Sequence, residues 1–256
     1  MYSVPKLYIA PSSQTWNVGK YSMYDTNEAK MCNKIASYIV KELEKYNCEV
    51  YRGYVSTGLA KNEERANYYK CRSYYAIHTN AGASSAHGVT ALYQSWKGFS
   101  LRRRAKSKLM ATELCKAIAS MGRYNRGAVV GKKQSDGREY FGDLRVPDMA
   151  STILEIEFHT NNDSTAWLVQ NPAKIGIKIA QTIAKIEKLF KVYPATVTAK
   201  DGLAVRKGAG VVYEKIGTLK YGTEVTVYGE KLNGLVTWCR IHPTEDEWVS
   251  KKFLRW

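Results

Sequence analysis

The stretch Ser73-Tyr74-Tyr75-Ala76-Ile77-His78-Thr79-Asn80-Ala81-Gly82 decides how the rest of the chain is read. Tyr74 to Ile77 have the composition of a short buried strand. The strand stops abruptly at His78, Thr79, Asn80, Ala81 and Gly82. In open α/β sheets, ligand-binding and catalytic residues stand where strands end and the backbone turns. The chain holds only 4 His, so one placed at such an end is a candidate. Alone, it reads more simply as an imidazole satisfied by a backbone partner.

Working outward, the chain alternates short strands with amphipathic helices up to about residue 192. Leu7-Tyr8-Ile9-Ala10 reads as a strand ending at Pro11-Ser12-Ser13. Met31, Cys32, Ile35, Ala36, Ile39, Val40 and Leu43 recur with a helical period, predicting a helix from about Asn27 to Tyr46 capped by Thr26 or Asn27. Glu49-Val50-Tyr51 is the next strand, and a short helix capped by Asn62 is expected over Asn62 to Tyr69. Val89–Tyr93 reads as a strand, and Ala111, Leu114, Cys115 and Ile118 mark a second long helix. Thr152–Phe158 reads as a strand, and Ala173 to Phe190 as a final helix with Ile175, Ile179, Ile183 and Ile186 in register. This alternation predicts an α/β fold, a mostly parallel twisted sheet flanked by helices on both faces.

The composition changes at Val192-Tyr193-Pro194, after which helical periods stop and short β-rich runs are split by glycine turns. The expected organisation is a large domain over 1–192 and a small all-β barrel over 193–256. Asp201-Gly202-Leu203-Ala204-Val205-Arg206-Lys207-Gly208-Ala209-Gly210 resembles the opening of a bacterial SH3-like wall-binding module. Ile216-Gly217-Thr218-Leu219, Val225-Thr226-Val227, Trp238 and Trp248-Val249-Ser250 extend the resemblance over about residues 195–254.

The bulk properties narrow the function classes. Lys and Arg number 39 against 23 Asp and Glu, a net charge of +16 that attracts polyanions such as nucleic acid, anionic membrane or anionic wall polymers. The densest basic run, Arg102-Arg103-Arg104-Ala105-Lys106-Ser107-Lys108, reads as a solvated loop and helix start. An aromatic RNA-binding signature and a recognition-helix motif are both missing, which argues against a nucleic-acid partner. No run of roughly 18 apolar residues is present, so no spanning helix is expected. Met1 to Lys6 lacks the basic and apolar regions of a signal peptide. The 5 Cys, without CxxC spacing, read as reduced cytosolic thiols.

Three features carry the chemistry. Thr26-Asn27-Glu28 places a carboxylate in the first turn of a helix, where the dipole favours it. His78 stands at a strand end. Leu154-Glu155-Ile156-Glu157-Phe158-His159-Thr160-Asn161 alternates so that Glu155 and Glu157 share one face, which His159 can continue. Two carboxylates on a buried strand face are costly unless paired, hydrogen-bonded or metal-bound. Together these features suggest a hydrolytic zinc site.

Here the chain resembles the zinc-dependent N-acetylmuramoyl-L-alanine amidases of autolysins and phage endolysins. The matching pieces are Glu28 with its helix, Glu64-Arg65-Ala66-Asn67, Ala76–Ala81, Asn125-Arg126-Gly127, Leu144-Arg145-Val146-Pro147 and Leu154–Asn161, in family order over about residues 6–190. The resemblance implies that Glu28 and His78 are zinc ligands and that Glu155 is the catalytic carboxylate. It implies peptidoglycan as substrate, cleaved between N-acetylmuramic acid and L-alanine of the stem peptide. The family supplies a further His from a Gly-His-Gly-Gly loop after the first strand. Here that loop, Ala10-Pro11-Ser12-Ser13-Gln14-Thr15-Trp16-Asn17, has none. His159 is the first choice for a replacement ligand, Gln14 the second and Glu157 the third, with water or no metal also open. His87 is read as a groove or loop residue and His242 as a surface one. The expected role is a phage endolysin, made in the host cytoplasm and reaching the bacterial cell wall after membrane breach. The alternative is a metal-free, catalytically inactive wall-binding protein on an amidase fold.

Overall fold

The computed structural model describes residues 2–19, 25–54, 56 and 58–256. It forms two compact units. The larger comprises Lys6–Glu44 and Glu49–Lys188, and the smaller Leu189–Trp256 together with Met1–Pro5 and Lys45–Cys48. The short additions join the smaller unit by backbone pairing: Val192 N donates to Lys45 O, Asn47 N to Phe190 O and Tyr2 N to Thr244 O.

The larger unit is built on β1 (Lys6–Pro11), α1 (Glu28–Leu43), β2 (Glu49–Arg52), α2 (Gly58–Tyr68), β3 (Ser73–Asn80), β4 (Val89–Tyr93), α3 (Leu101–Ala119), β5 (Asn125–Val130), α4 (Gly142–Arg145), β6 (Ala150–Phe158), α5 (Asn162–Gln170) and α6 (Pro172–Glu187). The sheet order is β2-β1-β3-β6-β4-β5. All neighbours are parallel except β4 and β6, which are antiparallel. The expected mostly parallel α/β sheet is present, with β4 and β5 reversed at one edge.

Helices cover both faces. Tyr8, Ala10, Tyr74, Ala76 and Ile153 pack with Ala66 of α2 and Leu144 of α4 on one face. On the other lie α1, α3 and α6. Asn27 caps α1 as expected, its side chain accepting from Lys30 N at 2.9 Å. The predicted period buries Met31, Cys32, Ile35, Ala36, Ile39 and Leu43. Truncating such a fully buried isoleucine to alanine costs about 2–5 kcal/mol. α6 crosses α1 closely at Gly176, where a Cβ would stand 2.6 Å from Tyr38 Cβ and 2.8 Å from Ile35 O. Only a residue without a side chain allows that approach.

Several elements differ from the sequence expectation. α2 begins at Gly58, so Asn62 lies inside the helix; it is buried and accepts from Tyr8 Oη at 3.2 Å. The basic run from Arg102 falls wholly within α3, whose cap is Ser100. β5, α4 and α5 are additional elements; α4 is a single turn and β5 carries a bulge.

The smaller unit is all-β. β7 (Tyr193–Val197) lies between β10 (Glu224–Val227) and β14 (Leu254–Arg255). A second sheet has the order β11 (Gly229–Asn233), β12 (Val236–Arg240), β13 (Trp248–Ser250), β8 (Leu203–Arg206), β9 (Lys215–Leu219). All these pairs are antiparallel. Ala195, Val197, Leu203, Val205, Val227, Cys239, Val249 and Leu254 fill its core.

Candidate functional site

The C-terminal ends of β1, β3 and β6 and the start of α1 converge on one point. His78, on β3, is 12% exposed and lies beside Glu155 of β6 in the sheet register. Glu28 opens α1 and is buried, its Oε1 2.9 Å from His78 Nδ1. The loop after β1 folds over this pair. Asn17 Nδ2 donates to Gln14 Oε1 at 2.9 Å and to Glu28 Oε2 at 2.6 Å, while Asn17 O accepts from Glu28 N. Gln14 Nε2 stands 3.5 Å from His78 Nδ1. Asp143, in the single turn of α4, completes the arrangement. Its Oδ2 is 3.4 Å from His78 Nε2 and its Oδ1 accepts from Tyr74 Oη at 2.7 Å. Residues from these segments line a pocket of about 190 Å³, with Gln14, His78 and Asp143 on its wall and exposed Trp16 at its side. A larger cleft, about 950 Å³, belongs to the small barrel and holds none of these groups.

The electrostatics follow from crowding charges out of water. Burial lowers the proton affinity of His78, but hydrogen bonds to Asp143 and Glu28, with the charges of Asp143 and Glu155, outweigh it and raise the pKa well above the ordinary value. Burial opposes ionisation of Glu28, yet hydrogen bonds from His78, Asn17 and Ser12 and the His78 charge hold its carboxyl below the ordinary range. Glu155 goes the other way. Burial, reinforced by the charges of Glu28 and Asp143 and opposed by His78, pushes it up to about 7. Its Oε2 is buried without a hydrogen-bond partner among the described residues. Glu63 of α2, buried near Asp143, is likewise raised to about 8, first by burial and then by the Asp143 charge.

The remaining residues singled out in the sequence lie elsewhere. The ring of His159 bonds through Nδ1 to Thr79 Oγ1 at 3.0 Å and Thr79 O at 3.2 Å, and burial lowers its pKa. The structure therefore places it beside the strand end without bringing it into the Glu28–His78 contact. The expectation that Glu157 shares a face with Glu155 is corrected. His78 pairs with Glu155 but Asn80 with Phe158, so β6 carries an extra residue and the alternation breaks. Glu157 instead accepts from Arg123 Nε at 2.6 Å, Gly88 N at 2.7 Å and Ser164 Oγ at 2.9 Å, a buried structural pair. His87 lies in the loop before β4, edge-on to Tyr124. His242 shapes a turn of the small unit, accepting from Glu245 N at 2.8 Å. Asp143 is not among the residues that the sequence pattern singles out. Its one signal was an acidic residue directly before the Leu144–Pro147 motif.

These donors suit a divalent metal in part. An imidazole nitrogen and an anionic oxygen face one another, and Asp143 grips the far nitrogen as an outer carboxylate orients a metal-bound histidine. Glu155, whose Oε2 has no hydrogen-bond partner among the described residues, pairs with His78 in the sheet register. The third strong ligand is not assembled: among the described residues no cluster of three His, Cys, Asp or Glu is disposed around a metal position. Gln14 is the neighbour that remains.

Carboxylates, one raised and one lowered in pKa, around a clamped histidine at the strand ends of an α/β sheet define the class: a hydrolytic site. Residues 8–185 match the N-acetylmuramoyl-L-alanine amidase family and residues 201–255 the bacterial SH3 domain. The chain belongs to the N-acetylmuramoyl-L-alanine amidase family. Solved structures agree on the fold. Cwp6 from Clostridium difficile aligns with a TM-score of 0.62 at 19% identity, over 72% of this chain but 29% of Cwp6. The catalytic domain of CwlV, an N-acetylmuramoyl-L-alanine amidase from Bacillus (Paenibacillus) polymyxa var. colistinus, aligns with a TM-score of 0.59 at 19% identity, over 72% of this chain and 98% of that one. The catalytic domain of the CD27L endolysin targeting Clostridia Difficile aligns with a TM-score of 0.52 at 18% identity, over 71% and 97%. Among curated proteins there is no match.

Proposed function

We propose that this protein is a zinc-assisted peptidoglycan hydrolase that cleaves the amide between N-acetylmuramic acid and the L-alanine of the stem peptide, acting as a phage endolysin. The observation that carries the chemistry is Glu155: a half-buried carboxylate with one buried oxygen that has no partner among the described residues, pushed up to about 7, beside a histidine gripped from both sides. A group titrating near neutrality can take a proton from water and return it to a leaving amine. Glu155 is the general base for the attacking water and then the acid that protonates the departing alanine nitrogen. Glu28 and His78 would hold the metal, and Gln14, which neighbours His78 and whose carbonyl oxygen accepts from Asn17, is our choice of third donor. Zinc held by these residues would supply a Lewis acid to polarise the scissile carbonyl and ease deprotonation of water. Asp143, anchored by Tyr74, keeps the His78 ring oriented. Pairing of this domain with an SH3-type module on one chain supports a cell-wall site of action. The net charge of +16 suits the anionic polymers of that wall. The five unpaired cysteines support synthesis in a reducing host cytoplasm before the wall is reached.

The test is Glu155→Ala on purified walls. Wall clearing and release of free L-alanine amino groups should be lost while the circular dichroism spectrum is kept. Clearing at the wild-type rate would refute the mechanism. The incomplete ligand cluster favours a second reading, a metal-free wall-binding protein. That reading expects no stoichiometric zinc and no amino groups released by the wild-type protein.

A further inference from the structure

A second polar cleft lies along the same sheet row as the site. Gly127 of β5 pairs with Thr90 of β4, which pairs with Glu155 of β6, which pairs with His78 of β3. Asn80, Thr90, Tyr124, Arg126 and Val129 line a cleft of about 410 Å³ at the β5 end of that row. Adjacent strands lie ~4.8 Å apart, so the β5 backbone stands roughly 10 Å from Glu155.

The backbone there is bent to present Arg126. Val89 pairs with Asn125 but Thr90 with Gly127, so Arg126 is the extra residue of a bulge. Gly127 takes φ +84°, a conformation side chains disfavour, and Thr90 Oγ1 fixes its carbonyl at 2.9 Å. Bulges beside active sites re-aim side chains. The Arg126 guanidinium lies over the Phe158 ring, 5.2 Å from its centroid, and among the described residues its one hydrogen bond is a long one, 3.4 Å, to His87 O. Among the described residues it pairs with no carboxylate. Arg123, three residues earlier, is by contrast locked to Glu157.

We infer that Arg126 is a specificity residue that binds the free α-carboxylate of the second stem-peptide residue, beyond the scissile amide. An extended peptide advances ~3.4 Å per residue, and the arginine side chain spans the remainder of the roughly 10 Å. The guanidinium fork matches a carboxylate in two parallel hydrogen bonds, which a neutral carboxamide cannot reproduce. Stacking on Phe158 restrains the fork before the substrate arrives. The inference rests on the amidase reading, which sets where the peptide runs.

The experiment compares N-acetylmuramoyl-L-alanyl-D-glutamate, whose second residue carries a free α-carboxylate, with the same compound bearing an α-carboxamide. Wild-type protein should favour the carboxylate in kcat/KM. Arg126→Ala should lose roughly 10- to 100-fold on the carboxylate, expressed in KM, and change little on the carboxamide. Arg126→Lys should recover part of the loss, since a point charge replaces the fork. Calorimetric binding of both compounds to Glu155→Gln, with and without Arg126→Ala, reads the same preference without turnover. Equal losses on both compounds, no loss, or no carboxylate preference in binding would overturn the assignment. A preference in binding that depends on Arg126, with no cleavage of either compound by wild-type protein, would uphold Arg126 and refute the amidase reading instead.

Discussion

Glu155 is expected to weaken the fold that it serves. Its carboxyl rises from an ordinary 4.5 to about 7 because the native state buries it among the Glu28 and Asp143 charges. Between those two pH values the native state keeps a proton that the unfolded chain gives up, so stability falls as pH rises through this window. At about 1.36 kcal/mol per pH unit, the separation corresponds to at most roughly 3 kcal/mol. Glu155→Gln has the same shape and no charge. In metal-free protein it should match the wild type below about pH 4.5 and exceed it by up to roughly 3 kcal/mol above pH 7, while losing hydrolysis. The assay is urea denaturation with a chelator from pH 4 to 8.5, following the helical circular dichroism signal. That signal reports the larger unit, which contains α1 to α6. A variant less stable than wild type at pH 8, or a difference that does not grow with pH, would refute the argument.

Two further predictions concern the His78 surroundings. Asp143→Asn should lower zinc affinity and kcat/KM by roughly 10- to 100-fold, because the His78 ring loses its outer carboxylate. Unchanged zinc titration and kinetics would remove Asp143 from any positioning role. Gln14→Ala should weaken zinc binding in calorimetry and Gln14→His should tighten it, imidazole being the better ligand. If Gln14→Ala binds zinc as wild type does and His159→Ala does not, the third ligand is His159.

Much of the frame was legible because local periodicity and burial agree. The 3.6 period of Met31 to Leu43, its Asn27 cap and the apolar run Tyr74–Ile77 each point to one structure, and each is found. Elements without a period were not legible: α4 is one turn, and β5 is bulged and exposed. Asn62 illustrates another failure. It has the chemistry of a cap, but the helix starts four residues earlier and the side chain is spent on Tyr8. Glu157 failed for a third reason. Alternation is a rule for regular strands, and one inserted residue in β6 turns the carboxylate to Arg123.

By itself the sequence determined the alternating α/β frame, the β-rich module after residue 192, Glu28 and His78 at element ends, and Glu155 within a strand. Those follow from patterns within a few residues of one another. Which charges meet was decided only by the tertiary structure. Sheet register set Glu155 beside His78, a single helical turn brought Asp143 to its other nitrogen, and two bulges sent Glu157 to Arg123 and presented Arg126 to the cleft. Such pairings depend on strand order and on single-residue insertions, so segments tens of residues apart must pack before they exist.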